Sequence, residues 1–156
     1  FNQDIGNWDV ANVTNMQALF KGEPDWNCTS SSGCFWDYST VSSFNQDIGN
    51  WNVNSVNDMS AMFMNNPVFN QDISDWNISA LTSISGIFEN TPSLSNTNKG
   101  RMHKTFSSNP NWPYDWSEFV VYEPITDANF QDAVNLWFSD EANATFTYGH
   151  ISDWNV

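Results

Sequence analysis

A ten-residue phrase occurs three times in this chain of 156 residues. It opens the chain as "FNQDIGNWDV", returns at residue 44 as "FNQDIGNWNV" and again at residue 69 as "FNQDISDWNI". The last six residues, "ISDWNV", repeat its second half. The second and third copies start 25 residues apart; the first and second start 43 apart, which is one 25-residue period plus an insertion of 18. A period of that size specifies a stack of coils in which each unit buries its apolar face only against its neighbours.

Two spacings alternate within a unit. Trp8 and Val10, Trp51 and Val53, and Trp76 and Ile78 stand two apart, as in a short strand. Val13, Met16, Leu19 and Phe20 then fall at helical spacing, as do Val56, Met59, Met62 and Phe63, and Leu81, Ile84, Ile87 and Phe88. Asn12 and Ser55 stand where a helix N-cap would help, and Ala80 replaces them in the third unit. These spacings predict an α/β solenoid of short parallel strands and short helices. In such a stack equivalent residues lie about 4.8 Å apart, so that Trp8, Trp51 and Trp76 form one ladder. Phe1, Phe44 and Phe69 form a second, and Asn2, Asn45 and Asn70 a third of hydrogen-bonded amides.

Asp4, Asp47 and Asp72 fall in register as well, and like charges in register repel. The expectation is that each carboxylate accepts the N–H groups of its own turn, which favours its charged form. Calcium held between coils by these aspartates is the competing reading, but the glycine-rich calcium-binding nonapeptide is absent and no cofactor is predicted.

Charge narrows the partners. There are 18 Asp and Glu against 4 Lys and Arg, so no basic stripe is available for nucleic acid or anionic lipid, and no run of 18 apolar residues suggests membrane insertion. Nine Trp and twelve Phe supply large groups to bury. Asn12, Asn27, Asn77 and Asn143 each begin an N-glycosylation sequon. Cys28 and Cys34, six apart in "NCTSSSGC", are expected to form a cystine that staples the insertion. Together these features point to a secreted, N-glycosylated protein.

The phrase "FNQDIGNWDVANVTNMQALF" and its copies resemble the roughly 25-residue surface repeat of the BspA-like leucine-rich-repeat proteins. The resemblance covers 1–20, 44–63 and 69–94, and the insertion at 21–43 departs from it. It implies a leucine-rich-repeat-like solenoid with a role in adhesion or surface architecture and without enzymatic activity. The domain layout that follows is a repeat array over 1–94, with coils 1–20, 44–63 and 69–88 and the insertion 21–43. A closing cap over 95–122 comes next, with a helix from Asn96 to Phe106, then a helical opening cap over 123–150 with Thr126 as N-cap. Residues 151–156 are expected to be the first strand of a following array. Ile151, Trp154 and Val156 are then the residues of an inter-unit contact, made either along a longer tandem chain or head to tail with another copy.

No residue is predicted to be catalytic. The sequence contains no HExxH, GxSxG, phosphate-binding glycine loop or Cys-His pairing, and repetition favours scaffold positions over a single active site. The function expected is that of an extracellular structural unit of a filament or appendage, with the chain itself as principal partner. The alternative is a monomeric adhesin or carbohydrate-binding module acting on extracellular glycans or matrix. In that case Trp26, Trp36, Tyr38, Trp112, Tyr114 and Trp116 would stack on sugars.

Overall fold

The structure, a computed structural model, describes residues 1–23 and 42–154 in full and the backbone of 25–29 and 33–37. It divides into two compact units, Phe1–Phe119 and Val120–Val156.

In the first unit each coil is a chain of tight turns. Trp8 N–H donates to the Ile5 carbonyl, Val13 to Val10, Leu19 to Met16 and Lys21 to Ala18, and the second coil repeats this with Trp51 to Ile48, Val56 to Val53 and Met62 to Met59. Each turn swings one apolar side chain inward every two or three residues, so that Ile48, Trp51, Val53, Val56, Met59, Met62 and Phe63 are all buried. Turn periodicity thus imitates both the strand and the helix spacing.

The strand-and-helix solenoid expected from that spacing is corrected here. Among the described residues no coil contains a helix or a strand, and the parallel pairing between coils is reduced to isolated bridges from Asn15 to Asp58 and from Asp58 to Ser83. The segments expected to be helical instead carry the bonds between coils. Met16, Ala18, Phe20 and Gly22 N–H donate to the carbonyls of Asp58, Ser60, Met62 and Met64, at 2.8–2.9 Å. Met59, Ala61, Phe63 and Asn65 repeat the pattern onto Ser83, Ser85, Ile87 and Glu89. A helix would spend those N–H groups internally. Ala18 and Ala61, with φ of 55°, and Gly86, with φ of 66°, break the right-handed path at the same place in each coil. Asn12 and Ser55 therefore cap no helix. The two strands, β1 (Asp25–Thr29) and β2 (Gly33–Asp37), form an antiparallel hairpin within the insertion, with Cys28 opposite Cys34 in its register.

The helix read over Asn96–Phe106 is α1, with Ser95 as N-cap accepting from Asn98 N–H. Its Met102 and Phe106 complete the core of the stack together with Leu94. In the second unit α2 (Phe130–Ser139) packs on α3 (Glu141–Tyr148) through Ala133 and Ala144, both fully buried. The expected N-cap Thr126 is displaced. Asn129 is the N-cap residue, and its side-chain oxygen accepts from the Thr126 N–H and hydroxyl. The strand expected over 151–156 is a 3-10 turn at Ile151–Asp153.

Candidate functional site

The repeated side chains are used between coils. Asn2 Oδ1 accepts from Asn45 N–H at 2.9 Å and from the Gln46 side-chain amide at 3.0 Å; Asn45 Oδ1 accepts from Asn70 N–H at 2.8 Å and from the Gln71 amide at 2.9 Å. The Trp51 indole N–H donates to the Ile5 carbonyl and that of Trp76 to the Ile48 carbonyl. The Trp51 and Trp76 rings lie parallel with centroids 6.4 Å apart. The phenylalanines form one interleaved column rather than a simple ladder. Phe1 stacks on Phe44, Phe44 on Phe20 at 3.7 Å, Phe20 on Phe63, and Phe63 on Phe69 at 3.8 Å. The Phe that ends one coil therefore sits against the Phe that begins the next.

The aspartate register has a local explanation. Asp4, Asp47 and Asp72 accept the N–H of Gly6, Gly49 and Ser74, each two residues on, at 2.9–3.0 Å. Burial raises the Asp72 pKa, but bonds from Ser74 and the Arg101 guanidinium at 2.7 Å outweigh it and hold the carboxyl below its ordinary value. Among the described residues no three His, Cys, Asp or Glu side chains come together to hold a metal ion. Asp58 makes the same kind of turn. The Ser60 N–H and hydroxyl, aided by the Ser83 hydroxyl, keep its carboxyl below the usual range.

The last coil meets α1 and the segment after it where another coil would stand. Ser95 N–H and the Asn98 amide bind Asn70 Oδ1 at 2.9 and 3.0 Å, taking the places of the next coil's Asn and Gln. Arg101 takes Asp72, the Thr105 hydroxyl donates to the Ser74 carbonyl, and Asn109 donates to the buried carbonyls of Ile78 and Leu81. The Tyr114 hydroxyl accepts the Phe88 N–H, and burial raises its pKa. Trp112, Tyr114 and Trp116 surround the Phe88 ring at 5.7–6.4 Å, so these candidate sugar platforms are packed onto the core. His103 accepts the Trp116 N–H through Nδ1. The side chains of Trp26, Trp36 and Tyr38, the sequon at Asn27 and the expected Cys28–Cys34 cystine lie outside the described residues.

The opposite end of the stack is open among the described residues. Phe1, Trp8 and Leu19 are 69%, 61% and 51% exposed and border an apolar hollow of about 370 Å³ that has Ile5, Met16 and Phe20 in its walls. Sequon residues Asn12, Asn77 and Asn143 are exposed.

The second unit carries the fourth copy of the phrase. Trp154 N–H donates to the Ile151 carbonyl, as Trp8 does to Ile5, and His150 Nδ1 accepts the Ser152 N–H, as Asp4 accepts that of Gly6. Spacing alone aligned Ile151 and Trp154 with the coils; the substitution of His150 for the repeated Asp was not anticipated. The Trp154 ring is held by Trp137 and Tyr148, edge to face at 6.1 Å from each, and its indole donates to the Gly149 carbonyl. Val156 lies outside the described residues. A cleft of about 370 Å³ beside this turn is lined by Tyr122, Glu123, Tyr148, Asp153 and Trp154. No helix among the described residues is long and apolar enough to cross a membrane.

The chain matches no curated protein and no solved structure. A family model does match residues 32–109, half of the chain, from the insertion through the second and third coils to the end of α1. The chain therefore belongs to the family described as Mycoplasma protein of unknown function, DUF285.

Proposed function

We propose that the chain is a structural repeat module of an extracellular surface protein, a unit of a filament or appendage extended by adding such units in line. One observation carries the reading: the Asn, Gln and Trp of the repeated phrase are the residues that bond one coil to the next. Asn2, Asn45 and Asn70, the Gln beside each of the latter two, and Trp51 and Trp76 are engaged in stacking. The resemblance of the phrase to BspA-like surface repeats supports an extracellular place. Exposed Asn12, Asn77 and Asn143 suit N-linked glycans there, and an acidic flank favours solubility. On this account the module has no catalytic role, and its principal partner is another copy of itself.

Antibody labelling of intact, unpermeabilised cells of the producing organism, viewed by electron microscopy, tests the placement. Label along surface filaments is expected; label confined to the cell interior overturns it.

A second reading, a monomeric adhesin or carbohydrate-binding module, is favoured by the aromatic cleft of the second unit. There Tyr122, Tyr148 and Trp154 stand beside Glu123 and Asp153, a combination suited to stacking and bonding a sugar. A glycan array comparing the natural chain with Tyr148→Ala decides it: sugar retention lost in the variant supports the module, and no retention removes it.

A further inference from the structure

Coil 1 turns outward the groups that coils 2 and 3 use on the coil before them. In those coils the Trp indole N–H, the Asn backbone N–H and the Gln side-chain amide all donate to the preceding coil. By position the corresponding donors of coil 1 are Trp8, Asn2 and Gln3. All three are exposed; Trp8 lines the apolar hollow, and its 61% exposure contrasts with 4% for both Trp51 and Trp76.

The fourth copy has the complementary form. In the stack the Ile5 carbonyl accepts two bonds, one from the Trp8 N–H of its own turn and one from the next coil's Trp51 indole. The Ile151 carbonyl already accepts the first kind, from Trp154 N–H. Trp137, Tyr148 and the Gly149 carbonyl meanwhile engage Trp154, whose indole in a coil would reach back to the coil before it. The turn is therefore engaged on its preceding side, while the Ile151 side chain is 38% exposed.

We propose that the open face of coil 1 receives the Ile151–Trp154 turn of a second copy, the Trp8 indole of one copy donating to the Ile151 carbonyl of the other. This rests on the structural reading above and specifies its contact. The joint continues the coil-to-coil interface of the array, and because it pairs two different surfaces it propagates rather than closes. Ser152 sets its strength. It occupies the position of Gly6 and Gly49, where a Cβ would lie 2.7 and 2.9 Å from the next coil's Asp carbonyl. The joint is held more open than a coil-to-coil contact and is correspondingly reversible.

Sedimentation velocity of the 156-residue chain, from dilute to concentrated solution, tests this. The natural chain should give a concentration-dependent series of oligomers. Trp8→Ala and Ile151→Lys alter exposed side chains, so both should retain the natural circular dichroism spectrum, and each alone should sediment as a monomer. Mixed in equal amounts they should form dimers and nothing larger, since each keeps the end that the other lost. Ser152→Gly, which removes the obstructing Cβ, should move association to concentrations at least ~10-fold lower. Association that survives both substitutions, or a mixture that stays monomeric, overturns this contact and leaves the structural reading standing. So does a natural chain that is monomeric at every concentration while native material is filamentous. Native material without filaments overturns the structural reading itself.

Discussion

Gly6 lies so close to the Asp47 carbonyl of the next coil that a Cβ on it would come within 2.7 Å of the oxygen; Gly49 stands in the same relation to Asp72, at 2.9 Å. The third coil has Ser74 here, and its neighbour is α1, whose Thr105 hydroxyl bonds the Ser74 carbonyl. In coils 1 and 2 the glycine thus answers the close approach of the coil stacked on it. Gly6→Ala and Gly49→Ala are each expected to destabilise the first unit by about 1–3 kcal/mol through forced backbone movement. Ser74→Ala should cost under ~1 kcal/mol, since no Cβ is added. Thermal denaturation of the three variants checks this, and equal losses at all three sites would contradict it.

The amide rungs should be worth more in the middle of the stack than their exposure suggests. Asn45 both donates to Asn2 and accepts from Asn70 and Gln71. Asn45→Ala keeps the backbone N–H that donates to Asn2 but leaves the Asn70 N–H and the Gln71 amide without the side-chain acceptor, and is expected to cost about 1–3 kcal/mol. Asn45→Asp keeps an acceptor on the side chain and should recover part of the loss, as urea denaturation would show.

Asn109 bonds the buried carbonyls of Ile78 and Leu81 at 2.7 and 3.2 Å. Asn109→Ala removes one of two donors from each carbonyl at the end of the stack, since Ile78 keeps the Leu81 N–H and Leu81 keeps the Asn111 amide, with an expected cost of about 1–2 kcal/mol. Hydrogen exchange should locate the damage in the third coil and α1, with protection at Met16, Ala18 and Phe20 less affected. Uniform loss across all coils would show instead that the stack opens as one unit.

Asp58 and Asp72 make stability depend on pH. Both carboxyls are held below their ordinary value, Asp58 by Ser60 and Asp72 by Ser74 and Arg101 against the effect of burial. A depressed folded-state pKa contributes stability that is present above the unfolded value of about 4 and lost as pH falls through the lower folded value. Asp58→Asn and Asp72→Asn should therefore lower the melting temperature at neutral pH, and the difference from the natural chain should vanish in acid. Asn15, which already accepts its Gln17 N–H in the same turn, shows that the amide can keep the geometry. A difference that persists unchanged into acid would point to geometry rather than charge.

What the sequence made legible was the stacking, and what it concealed was the path of the backbone within a coil. Phe44, Trp51, Val56, Met59 and Phe63 were identifiable as core residues from spacing, and all are buried. Their spacing of two, three and four is shared by strands, helices and successive tight turns, so periodicity alone favoured the two commonest elements. The deciding residues were Ala18 and Ala61 at positive φ, and alanine gives no signal for that conformation. The phenylalanine column was legible as a ladder of Phe1, Phe44 and Phe69 but not as an interleaving with Phe20 and Phe63, because the spacing put those two on short helices rather than on the turns that bond coil to coil. Helix α1 was legible because "NTNKGRMHKTF" abandons the repeat, whereas its N-cap, Ser95, emerges only from the structure. The role of that helix as a copy of the missing coil's bonds, through Ser95, Asn98 and Arg101, appears only when the elements are assembled.

The most direct test of the account is cryo-electron microscopy of the native material at working concentration. Filaments whose axial repeat matches one array and its cap, with Trp8 of one unit against Ile151 of its neighbour, are the predicted result. Isolated particles of a single unit, at the concentration found on the cell, would contradict it.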